Sequence, residues 1–268
     1  MTDLTIIVPA LNEAQRIAAT LRMLAPLRAR GAEVIVVDGG SEDDTPDIAY
    51  DHADRVLIAP RGRAAQMNAG AGVARGYVLL FLHADTWLPP DADTLILHGP
   101  GREQSVWGRF DIEIESQHRL LPALARFLNA RSRASGVATG NQAMFMTREA
   151  FIQVGGFPDI PLMEDVAMSK KLKELSPPLC LSARALTSGR RFDADGFWPT
   201  LRRMARLRLA YALGADPATL ASRDLEKRKA DALAEPEQEK PAEDEKRGEE
   251  PGRPDWLLEK HNRDRRAE

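Results

Sequence analysis

Cys180, in PPLCLSA, is the one cysteine in 268 residues, so neither an intrachain disulfide nor a thiolate-rich zinc site can form. Such a chain suits a reducing compartment, and the residue reads as a small apolar group buried in a strand. Excess basic charge is missing too. The formal net charge is -3, which supplies none of the positive field that dominates nucleic-acid binding. The longest apolar run is the strand-sized YVLLFL at 77–82, far short of the roughly 18 residues of a membrane span. The start, MTDLTIIVPALNE, lacks the charged region, long apolar run and cleavage site of a secretory signal. These absences point to a soluble chain of the cytoplasm. Glycine is absent from the first strand–helix junction, VPALNEAQR at 8–16. That excludes the G-x-G-x-x-G turn of dinucleotide folds, and neither G-x-x-x-x-G-K-[ST] nor G-x-S-x-G occurs.

What is present is alternation. Apolar, β-branched runs at 4–10, 32–40, 53–60 and 78–84 predict strands. Between them, 12–31, a stretch opening at Ser41–Thr45 and 62–76 predict helices, with Gly31 and Gly76 as stops. Strands alternating with helices at this spacing imply a mostly parallel sheet covered on both faces, a Rossmann-like front. The back half is mixed, with helices expected at 91–99, 118–135, 164–175 and 197–215 and strands at 106–116 and 179–192. The stretch 139–159 reads as a strand, a short helix and a turn. Composition changes near Asp224, and 226–268 carries 14 acidic and 11 basic residues. That predicts one domain over 1–225 and a charged, disordered or partly helical tail over 226–268. PDWLLEKHNR, 254–263, reads either as a docking helix or as a loose end.

Chemistry-bearing residues gather at the expected strand tips, where open α/β sheets bind ligands. The first tip offers Ala10, Asn12 and Glu13, and the second offers Asp38, whose carboxylate can accept from ribose hydroxyls or a base edge. Asp43 and Asp44 read as solvent-facing helix-start residues. Arg61 and Arg63 flank Gly62 after the third strand and suit a phosphate clamp, although either alone is ordinarily a surface arginine. The fourth strand, VLLFLHADTW, ends in His83 and Asp85. A departing diphosphate needs a divalent cation, and Mg²⁺ or Mn²⁺ prefers carboxylate oxygen, with imidazole as a further ligand for Mn²⁺. Asp165 opens a later helix beside Glu164 and could take a proton from a hydroxyl. The plainer reading of that pair is a helix start favoured by the macrodipole.

VPALNE (8–13), VVDGGSEDDT (36–45), GRAAQMNAGA (62–71), FLHADT (81–86), GGFPDIPLMEDVAMSKKLK (155–173) and TSGRRF (187–192) occur in the order of the family 2 glycosyltransferases. Over about 4–220 the chain resembles that family, and most nearly its compact bacterial branch associated with radical-SAM and selenodomain proteins. The resemblance implies a GT-A fold, with a nucleotide-sugar half at about 1–98 and an acceptor half at 99–225. It implies base and ribose contacts at Ala10, Glu13 and Asp38, and a base or phosphate contact at Arg61 or Arg63. Asp85 matches the last carboxylate of the family's D-x-D element, while His83 departs from its first position. Asp165, with Glu164, is the implied base of inverting transfer to an acceptor hydroxyl, and Arg190 and Arg191 stand where a segment closes over the diphosphate. No Q-x-x-R-W element or membrane span is present, which points to single transfers rather than polymer synthesis.

Two other classes stay open on sequence alone: nucleotidyl transfer to a sugar phosphate, and a non-catalytic domain binding a nucleotide-sugar or a protein. LLPALARFLNARSR and FWPTLRRMARLRLAYALG are cationic and amphipathic. They suit core packing or a homodimer surface, and next a weak peripheral contact with the inner face of a membrane.

Overall fold

The computed structural model describes residues 2–116 and 118–234, with side chains as far as Glu226. The front half runs β1 (Leu4–Ala10), α1 (Ala14–Ala29), β2 (Glu33–Asp38), α2 (Thr45–Tyr50), β3 (Arg55–Ile58), α3 (Arg63–Val73) and β4 (Val78–Phe81). Then come β5 (Thr86–Trp87), α4 (Ala92–His98), β6 (Trp107–Glu115), α5 (Leu121–Ser135), β7 (Phe145–Thr147) and α6 (Arg148–Gln153). α7 (Glu164–Lys173), β8 (Leu179–Ser188), α8 (Arg190–Asp195), α9 (Phe197–Ala212) and α10 (Pro217–Ala234) complete the described elements.

The strands form one sheet in the order β3-β2-β1-β4-β7-β6-β8-β5. β3, β2, β1 and β4 are parallel, as strands joined by crossover helices must be. The sheet as a whole is mixed, because β7 enters antiparallel to both β4 and β6, and β5 antiparallel to β8. Period two sorts the side chains. On β1, Leu4, Ile6 and Val8 pack with Ile17, Leu21 and Leu24 of α1 on one face. Ile7 joins Ala64 and Met67 of α3 and Met168 of α7 on the other. The near-continuous apolar reading of these strands follows from burial on both faces. A third cluster seats Leu121, Leu124 and Leu128 of α5 on Ile112 and Ile114 of β6, with Phe197.

Two local expectations change. The fourth strand stops at Phe81 rather than Ala84, because a turn from His83 O to Thr86 N feeds the two-residue β5. The strand expected to reach Phe192 ends at Ser188. Gly189 N bonds Glu115 O and its own carbonyl receives Phe192 N, which starts α8 instead. α10 continues across the composition break at 226 on strong helix formers, Ala, Leu, Lys and Arg. The rest of the tail, including 254–263, lies outside the described residues. The chain divides into two units, Met1–Leu225 and Glu226–Glu268, and the site lies in the first. Among the described residues no helix is long and apolar enough to cross a membrane.

Candidate active site

The tips of β1 and β2 are locked to each other. Asn12, at φ 53°, accepts Glu42 N through Oδ1 at 2.9 Å and donates its own N–H to Ser41 Oγ at 2.8 Å. Asp43 accepts from Ala14 N, so it caps the neighbouring helix rather than simply facing solvent. Asp38, 2% exposed, takes Gly40 N and Ser41 N at 2.8 Å on one oxygen and Ser41 Oγ at 2.5 Å on the other. Its first task is to hold the GGS turn. Gln66 of α3 donates to both Ala10 O and Val37 O, and Gly39 N also donates to Ala10 O. Ala10 is therefore a buried strand end with its carbonyl already engaged. Asn68, from the same α3 motif, receives Phe157 N and donates to Phe157 O, fastening the GGFP loop.

His83 and Asp85 share a side because Ala84 between them points into the core. Thr20 of α1 donates to Ala84 O at 2.6 Å, and Ser188 N donates to Asp85 O at 3.0 Å, so two elements brace the segment. Both side chains line a cavity of about 240 Å³ together with Arg63, Glu164, Asp165 and Arg191. Six of the eleven residues expected at the site thus face one space. Arg190 stands at its edge. Ala10, Asp38, Glu13 and Arg61 do not line it, and Arg61 is exposed on the β3–α3 loop.

Asp165 sits at the start of α7 with both oxygens engaged by backbone donors. Gly140 N reaches Oδ2 and Val166 N reaches Oδ1, each at 2.7 Å. Its neighbour Glu164 is 4% exposed and lies 3.4 Å from Arg63 Nε. Burial pushes the Glu164 carboxyl up, Arg63 opposes, and Asp165 adds to the rise. Glu164 thus turns inward to Arg63 while Asp165 turns to the cavity. His83 packs edge-on against Gly140, where an added Cβ would lie 2.4 Å from Nε2. Burial first, then Arg63 and Arg191, bring its imidazole from 6.5 down to about 3 against the pull of Asp165. It is neutral at ordinary pH.

Arg190 joins two strand tips. Its guanidinium grips Glu13 in a fork at 2.6 and 3.1 Å and lies 3.4 Å from Asp85. The hydrogen bonds to Glu13 raise its affinity for the proton, burial opposes, and both carboxylates add to the rise. The donor set at the cavity for a divalent cation is one carboxylate and one neutral imidazole. Among the described residues no cluster of three or more His, Cys, Asp or Glu could hold a metal. Such a pair fits an ion that takes its remaining oxygens from water and a bound phosphate, and imidazole inclines it to Mn²⁺.

Sequence reasoning missed much of the far wall. Leu128 of α5 and Met204, Leu207 and Arg208 of α9 line the cavity. Arg203 forks onto Asp224 at 2.7 and 2.8 Å. Arg131, one helical turn beyond Leu128, has Nε and Nη2 buried without a partner. The i, i+3 and i, i+4 spacing of 128 and 131, and of 204, 207 and 208, carried that signal. An arginine within such a stripe reads as a solvated residue until the opposing helix is known.

The glycosyl transferase family 2 model matches residues 5–155. The chain belongs to that family. Over 98 residues it is 41% identical to a PGL/p-HBAD biosynthesis glycosyltransferase of Mycobacterium bovis, covering 34% of this chain and 38% of that protein. Over 194 residues it is 25% identical to the poly-beta-1,6-N-acetyl-D-glucosamine synthase of Staphylococcus aureus, covering 64% of this chain and 46% of that protein. The chain thus spans less than half the length of these relatives. Among solved structures, the Pyrobaculum calidifontis mannosyltransferase PcManGT with GDP-Man and Mn²⁺ has a TM-score of 0.54 at 19% identity, covering 86% and 80% of the two chains. Glucosyl-3-phosphoglycerate synthase of Mycobacterium tuberculosis, with Mn²⁺, UDP and glucosyl-3-phosphoglycerate, has a TM-score of 0.57 at 19% identity, covering 79% of each. These likenesses are of fold, and the fold is GT-A: a curled α/β sheet flanked by helices.

Proposed function

We propose that the chain transfers a sugar from a nucleoside-diphosphate sugar to an acceptor hydroxyl, with inversion and one sugar at a time. The observation that carries this is the meeting of Asp85, on the β4–β5 turn, and Asp165, at the start of α7, in one cavity. One carboxylate suits a metal-held diphosphate, and the other a proton acceptor aimed from a separate element. In this reading Glu13 and Asp38 face the nucleoside, Asp38 sharing its oxygens with the loop donors. Arg190 and Arg191, with Arg63 or Arg61, neutralise the diphosphate, and Arg190 balances the Asp85 charge in its absence. Asp165 receives the acceptor proton as the hydroxyl attacks the anomeric carbon and the diphosphate departs from the opposite side. Mg²⁺ or Mn²⁺, held by Asp85 and His83, would supply Lewis-acid stabilisation of that leaving group. The relatives solved with Mn²⁺ and a nucleotide support the assignment of cofactor class. The nearer likeness to the radical-SAM and selenodomain-associated branch rests on motif spelling, and the single-domain reading of 1–225 belongs to the same proposal. Incubation with a panel of UDP- and GDP-sugars, Mn²⁺ and hydroxylated acceptors tests it. Release of nucleoside diphosphate supports transfer. Pyrophosphate release from a sugar phosphate plus a nucleoside triphosphate, or tight binding without turnover, would replace it.

A further inference from the structure

Four carboxylates and four arginines line the cavity, and Arg131 adds a further guanidinium one turn behind Leu128. Glu164 faces Arg63, Asp85 faces Arg190, and Asp224 is forked by Arg203. That leaves Asp165 as the acid whose field reaches Arg131 and Arg208, two guanidinium groups on different helices, α5 and α9. Arg208 lines the cavity beside Leu207, and Arg131 follows the cavity residue Leu128 by one turn. Arg131 keeps Nε and Nη2 out of water with no acceptor. Burial, then Arg208, pulls it down to about 10 although Asp165 opposes, and burial lowers Arg208 likewise. Two partly desolvated like charges, one with unanswered donors, are unfavourable in a protein alone. They become favourable when a ligand brings the missing anion, since a guanidinium matches two oxygens of a phosphate or carboxylate at once.

We propose that Arg131 and Arg208 bind an anionic group, a phosphate or carboxylate, carried by the acceptor beside the hydroxyl that faces Asp165. This deepens the sugar-transfer reading and rests on it for the role of Asp165. The anion site itself stands on the two arginines. The same chemistry can come from a soluble ester or from a lipid head group, and exposed Trp198 and Leu209 on α9 make the second worth separating.

Calorimetric titration of the full chain with glycerol 3-phosphate, with glycerol as the uncharged control, tests the site. Glycerol 3-phosphate should bind and glycerol should not, and Arg131→Gln and Arg208→Gln should each weaken binding by about tenfold or more. Circular dichroism checks that each variant is folded, and either one alone keeps the test decisive. Binding to vesicles containing phosphatidic acid, lost in the variants and without binding of the soluble ester, would assign the site to a lipid-borne acceptor. Equal binding of ester and glycerol, or ester binding unchanged in the folded variants, would overturn the proposal. Titration of UDP and GDP with Mn²⁺ runs alongside: ester binding without nucleotide binding would keep the anion site and sink the transfer reading.

Discussion

At the scale of single residues, Asp165 and His83 make separable claims. Asp165 accepts one backbone donor on each oxygen, so Asp165→Asn keeps the side-chain size and one of those two bonds while removing the proton acceptor. We expect kcat to fall about 10²- to 10⁴-fold with the affinity for nucleoside diphosphate nearly unchanged. Initial rates and nucleotide titration check this, and an unaltered kcat would end the base assignment. His83 predicts a pH dependence of stability. Its imidazole sits at about 3 in the folded protein against 6.5 ordinarily, so between those values the unfolded chain binds the extra proton. Stability from this group is therefore complete above about pH 6.5 and declines as pH falls towards 3, by at most about 1.4 kcal/mol per unit. His83 is only partly buried, so a smaller slope is expected. Urea unfolding of His83→Gln should show a flatter pH profile than wild type over that window, whereas parallel profiles would contradict the environment described. Asp85, His83 and Asp165 were legible in the sequence because the end of an apolar strand and a helix start place them. Arg131 and Arg208 were not, because their partners lie on other elements.

At the scale of elements, the fit of α3 onto the sheet is the clearest packing claim. Gly70 lies where a Cβ would come within 2.6 Å of Ile7 Cγ2 and 3.0 Å of Val37 Cγ2. Gly70→Ala gains helix propensity of about 1 kcal/mol, but overpacking the interface costs about 1–3 kcal/mol. A net loss near 1 kcal/mol, read from urea midpoints at constant m, is expected, and a stabilised variant would show that the interface yields. α3 was legible as a helix, but the sequence did not reveal that Gln66, Asn68 and Arg63 tie it to β1 and β2, the GGFP loop and Glu164 in turn. The four parallel strands announced themselves through apolar runs and regular crossovers. β5 and α8 were hidden, since a two-residue strand has no period and a glycine-initiated turn looks like the end of a strand.

For the whole molecule, the family match ends at residue 155, so Asp165, Arg190 and Arg208 lie beyond it, on α7 to α9. The matched stretch runs from β1 to α6, and α7 to α9 beyond it complete the cavity wall. The mixed sheet joins the halves through β4 and β7, which brings the HAD turn beside Gly140 and the start of α7. The cationic helices divided the same way: Arg203 and Arg208 turn inward to Asp224 and the cavity, leaving Arg202 and Arg206 outward. The central claim is that Asp85 makes the departure of a nucleoside diphosphate depend on a divalent cation. Its most direct test is the rate of diphosphate release across a Mn²⁺ titration, in wild type and Asp85→Ala with an accepted donor sugar. The account predicts saturable Mn²⁺ dependence in wild type and a loss of about a hundredfold or more in the variant. Wild-type turnover by Asp85→Ala at limiting Mn²⁺ would contradict it.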